Sequence, residues 1–141
     1  MPQTWQPWAM KNAAAPWSVG AVTWRVALVA AIAINLYSMY APRVPGPSTS
    51  LRLDLVGHAA SFAALAFTGL LAGLKARWWL PLVALNAVAS ELIQGFLLPD
   101  RSGDLIDLAA DALGIVVGWL AARWLITRLT ERAHEPRADG V

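Results

Sequence analysis

Four apolar runs, each close to twenty residues, leave this chain few folds to choose from. They lie at about 22–40, 53–74, 78–98 and 105–126. A helix of roughly 20 residues matches the hydrocarbon thickness of a bilayer. In lipid the backbone must satisfy its own polar groups, which leaves helices or closed barrels. The chain has 57% apolar and 14% charged residues, against about 25% charged in a soluble domain. The reading is an all-α polytopic membrane protein, a four-transmembrane-helix bundle. Residues 1–21 are expected to form a cytoplasmic Trp/Pro-rich arm, 22–126 the membrane domain, and 127–141 a solvated, frayed, mixed-charge tail. The first span is expected to be retained, since it lacks the basic start of a signal peptide.

Several function classes drop out early. Cysteine is absent, so disulfides, thiolate nucleophiles and Cys-based metal sites are excluded. The net charge of +2 comes from basic residues spread along the chain, so no nucleic-acid partner is expected. The main partner is the lipid bilayer, and oligomerisation stays open. No cofactor or metal is expected.

Basic residues set the orientation. Lys11, Arg25, Lys75, Arg77, Arg123, Arg128, Arg132 and Arg137 flank one side, and Arg43, Arg52 and Arg101 the other. Eight against three places both termini in the cytoplasm of a bacterial plasma (inner) membrane. All eight Trp fall toward the inner face, where indoles suit the headgroup region.

The informative residues are polar ones inside the apolar runs. Asp54 and His58 share a helix face at i,i+4, and Glu91 and Gln94 at i,i+3. Asp104, Asp107 and Asp111 follow i, i+3, i+7, and Gly114 and Gly118 continue that side. At about 1.5 Å per residue, His58 lies roughly 6 Å into its helix from Asp54, and Glu91 and Asp111 lie roughly 10 Å from the outer ends of theirs. Charged groups at such depth usually face a bundle interior and mark function. The spacing predicts one outward-facing pocket holding His58, Glu91, Gln94, Asp107 and Asp111, with Asp54 and Arg101 at its edge. Each group also has a plainer role. Asp54 answers a helix dipole, and His58 is a packed histidine. Glu91 pairs with Arg101 or His58, Gln94 joins helices, and Asp104 caps the fourth helix. Asn35 is a bonded residue near the outer end.

Taken in order, these residues resemble the VanZ-like family of small membrane proteins. That family shows Asp-Lys-x-x-His opening a helix, then Glu-x-x-Gln and an Arg in a Gly/Pro-rich loop. An Asp opening the next helix follows, then an Asn four residues on and a Gly three after that. Here the elements are Asp54 to His58, Glu91 to Gln94, Arg101, Asp107, Asp111 and Gly114, over about 53–118. Leu55 stands where the family tends to have Lys, and Asp111 where it tends to have Asn. The first departure removes a cation and the second adds an anion. The resemblance implies an all-helical membrane protein with this polar cluster, linked to the cell envelope and to glycopeptide (teicoplanin) tolerance.

Three functions are compatible with the pattern. The first is an envelope factor binding a lipid-linked or other polar ligand through Asp54, Gln94, Arg101, Asp107 and Asp111. The second is a membrane enzyme with His58 and Glu91 as acid and base, with Asp107 and Asp111 orienting them or holding a hard metal. The third is an ion- or proton-coupled transporter subunit, against which stands the absence of polar residues in the inner halves of the spans.

Overall fold

A computed structural model describes residues 19–41, 53–98 and 104–134. Its elements are four helices: α1 (Val19–Tyr40), α2 (Leu53–Leu71), α3 (Ala76–Leu97) and α4 (Leu105–His134). No strand occurs among the described residues. Three helices, α1, α3 and α4, are long and apolar enough to cross a membrane. The apolar stretch of α2 is shorter, Leu55–Leu71.

α2 is the central element. It packs on α1, on α3 and most extensively on α4, while α1 and α4 do not meet. Its position explains its composition: Phe62, Leu65 and Ala66 are buried. The outer helices instead expose large apolar side chains, among them Val29, Ile34, Leu85, Phe96, Leu113 and Leu120. Apolar surface on that scale fits lipid better than water.

α2 and α4 run parallel, with Ala59 against Gly114 and Ala63 against Gly118. A Cβ at either glycine would fall on the facing alanine's carbonyl. The expected close-packing stripe at Gly114 and Gly118 is therefore present, and two alanines of α2 complete it. Small residues four apart on both helices let the backbones touch. A second docking point lies at the other end of α2. The Trp79 indole N–H donates to the Leu65 carbonyl at 3.0 Å. The ring occupies the space that a side chain at position 69 would need, which Gly69 leaves free.

Helix ends differ from expectation in physically clear ways. α2 stops at Leu71 rather than near Leu74, because Gly73 adopts φ 91°. Its N–H bonds the Leu70 carbonyl at 3.1 Å and the Leu74 N–H bonds that of Gly69 at 3.0 Å, a Schellman close. α3 begins at Ala76, so Pro81 lies inside the helix rather than in its first turn, and the Arg77 carbonyl forgoes its i+4 bond. α1 begins at Val19, so three residues assigned to the N-terminal arm are helical. α4 extends to His134, so much of the expected frayed tail is helix. Residues 127–134 contain neither Gly nor Pro, and the first breaker is Pro136.

Candidate functional site

The site lies where α2 and α4 begin and α3 ends. The Gly114–Ala59 contact draws α4 onto α2. His58 is one residue before Ala59, and Asp111 is three residues before Gly114 on the same face. The close approach therefore brings His58 Nδ1 to 3.0 Å from Asp111 Oδ1. α3 contributes Glu91, whose Oε1 is 3.8 Å from the same nitrogen. Its Oε2 accepts the backbone N–H of Asp104 at 2.9 Å. Asp104 caps α4 as expected, its Oδ1 accepting the Ile106 N–H at 2.9 Å. The start of α4 is thus tied to α3 through one residue, which uses its side chain for its own helix and its amide for Glu91.

Asp107, in the first turn of α4, completes the cluster. One ligand atom from each of His58, Glu91 and Asp107 lies within 4.8 Å of the others. Burial is nearly complete: 4% of His58, 7% of Glu91, 8% of Asp107 and 0% of Asp111 is exposed. Water therefore does little to offset three carboxylates around one imidazole. Glu91 Oε1 and Asp111 Oδ2 have no hydrogen-bond partner among the described residues. Native structures leave few buried polar atoms unpaired, and each such atom needs an explanation.

The convergence expected of His58, Glu91, Asp107 and Asp111 is present, drawn from three helices. Gln94 is buried too, but it turns elsewhere. Its amide donates to the Met39 carbonyl at 3.1 Å and so ties α3 to α1. Asp54 lies in the first turn of α2, and its side chain is outside the described residues, as is the whole of Arg101.

A second polar network joins α1, α2 and α3. The Asn35 amide donates to Ser61 Oγ at 2.8 Å, and the Asn86 amide donates to Asn35 Oδ1 at 2.9 Å. The Tyr40 hydroxyl donates to Asn86 Oδ1 at 3.2 Å. Asn35 is the bonded residue expected of it. Ser61 and Asn86 complete this network; Asn86 is a lone Asn in the middle of an apolar run, the one sequence signal for it. Every one of these bonds is neutral, and the network reads as helix–helix adhesion. It also borders a cavity of about 380 Å³ between α1 and α3, lined mainly by apolar residues including Ile32, Leu36, Leu82 and Leu85.

Chemically, the cluster can hold a proton, move a proton or bind a cation. The Asp111 carboxylate fixes the His58 ring as an orienting acid does for a catalytic histidine. The chain matches no protein-family model, and comparisons with curated proteins and with solved structures give no significant match.

Proposed function

We propose that the chain is a four-span protein of the bacterial inner membrane, with both termini in the cytoplasm and its acidic centre facing outward. In this reading α2 is the fourth span, shorter than the rest and sheltered among them. Three Arg–Trp pairs support the orientation. The Arg77, Arg123 and Arg128 guanidinium groups lie 5.6, 5.3 and 5.7 Å from the rings of Trp78, Trp119 and Trp124. They gather at the start of α3 and from the middle of α4 onward, away from the acidic centre. Basic and indole side chains together suit a cytoplasmic headgroup region.

The centre then serves a polar ligand of the cell envelope, such as a lipid-linked precursor, in envelope biogenesis or teicoplanin tolerance. The observation that carries this reading is the meeting of His58, Glu91, Asp107 and Asp111, from three helices, in a nearly sealed site. A purely structural helix contact needs one polar pair, and here four ionisable groups meet. The described centre is acidic, so it favours cations and hydrogen-bond donors. An anionic part of a ligand would fall to Arg101. The envelope link itself rests on the likeness to the VanZ-like family and on the motif that carries it. A second reading, an enzyme with His58 and Glu91 as acid and base, is favoured by the Asp111–His58 contact alone.

The test has two parts. A reporter fused after Val141 is expected to read cytoplasmic, and one inserted within residues 99–104 external. The opposite result would put the centre on the cytoplasmic side. In cells made tolerant by the wild-type chain, Glu91→Gln and Asp107→Asn are each expected to abolish tolerance while the protein remains inserted at wild-type levels. Tolerance that persists in both variants refutes the site.

A further inference from the structure

We infer that the acidic centre is a site for one divalent first-row transition-metal ion, held by His58, Glu91 and Asp107 with Asp111 beside the imidazole. This inference rests on the functional reading of the same cluster and names what occupies it.

The first argument is geometric. Protein ligands hold such an ion at about 2.0–2.2 Å. In a tetrahedral shell two ligand atoms are then about 3.4 Å apart. The atoms offered by His58, Glu91 and Asp107 all fall within 4.8 Å of one another, and side-chain rotations that draw them in by about 1 Å would close the shell around one ion. They also come from three different helices, α2, α3 and α4. An ion there would join all three.

The second argument is the unpaired oxygen. Glu91 Oε1 is buried, lacks a hydrogen-bond partner among the described residues and lies 3.8 Å from His58 Nδ1, inside the cluster. Its sister oxygen is already anchored by the Asp104 amide. The carboxylate is therefore held in place by one oxygen and presents the other. Asp111 also keeps one oxygen, Oδ2, unpaired while Oδ1 contacts the ring. Because Asp111 occupies Nδ1, the ring would offer Nε2 to the ion, and a carboxylate on the other nitrogen of a metal-binding histidine is the usual orienting partner.

The third argument is charge. Glu91, Asp107 and Asp111 carry three negative charges when ionised, and His58 offers at most one positive charge. A divalent ion with neutral His58 lowers the sum to minus one.

The donor set narrows the ion. Calcium and magnesium prefer shells made wholly of oxygen. One imidazole with carboxylates suits manganese, iron or zinc. Three protein ligands leave a position open for water or a polar ligand group, as in catalytic rather than structural sites.

The experiment uses the full chain purified in a mild detergent, stripped with chelator and titrated with zinc chloride or manganese chloride alone. One ion per chain is expected, with a rise in melting temperature. Cobalt substitution should give a visible absorption band from mixed nitrogen and oxygen ligands. Glu91→Gln and Asp107→Asn should each weaken binding at least 100-fold, while Asn35→Ala should leave it within threefold. The wild-type titration stands even if a variant fails to fold. No saturable binding by the wild type, or equal affinity in Glu91→Gln and Asp107→Asn, overturns the metal site. Loss of teicoplanin tolerance in those variants, with a wild-type chain that binds no metal, would leave the functional reading intact and remove only the ion. Stoichiometric metal with tolerance unchanged in both variants would keep the ion and remove the functional reading.

Discussion

Gly114→Leu is expected to destabilise the folded chain by about 3 kcal/mol, the upper part of the usual range for overpacking. The obstacle is the Ala59 carbonyl, and backbone cannot rotate aside as a side chain can. α4 would have to retreat from α2 along its whole parallel seam, because Gly118 makes the same approach to Ala63. The site would suffer with the seam. His58 and Asp111 meet at 3.0 Å because the two helices touch at Ala59 and Gly114, one and three residues further on. Even Gly114→Ala should cost stability, although alanine is the better helix former. Gly57→Ala is the natural control, since nothing lies within 4 Å of a Cβ built there. That change should be neutral or mildly stabilising. Thermal melting in detergent reads all three, and a Gly114→Leu chain that melts with the wild type would show that the seam is not a real constraint.

His58→Ala is expected to cost about 3–5 kcal/mol at neutral pH, the range for removing one partner of a buried charged pair. The side chains of His58 and Asp111 are 5% and 0% exposed, so water cannot take the place of the lost ring. The variant leaves Glu91, Asp107 and Asp111 facing each other without their imidazole. Asp111→Asn should be milder, about 1–3 kcal/mol, because the amide oxygen can still accept a bond from Nδ1. Both residues touch the same contact, so their effects should not add. A double-mutant cycle should return a coupling of about 0.5–3 kcal/mol. Additive losses within about 0.5 kcal/mol would falsify the contact as an energetic unit.

The two predictions test different kinds of inference. Gly114 and Gly118 were legible as a packing stripe because glycines four apart fall on one helix face. The partner was not legible. α2 carries many alanines, and only the folded chain selects Ala59 and Ala63. The polar cluster behaves similarly. Depth along each helix follows from counting residues, so His58, Glu91 and Asp111 could be placed at one level before any contact was known. Gln94 shows the limit. It lies one turn from Glu91, yet its amide reaches the Met39 carbonyl of α1 and not the cluster. A shared helix face spans enough arc to touch two neighbours, and three residues of spacing cannot say which.

The sequence by itself determined that the chain is helical, that long apolar stretches suit a membrane, and that its buried acids and His58 gather near one end. Those properties depend on local periodicity and on the cost of burying charge, both of which are readable one segment at a time. It also contained the stop at Gly73 and the continuation of α4 to the approach of Pro136, though only as weak local signals. The tertiary structure alone decided that α2 is central, that α1 and α4 stay apart, and that the Asn35–Ser61–Asn86 network joins three helices. It alone also decided that Asp104 uses its backbone amide to anchor Glu91. Partner choice among helices depends on which surfaces fit together, a property of pairs of helices rather than of any one of them.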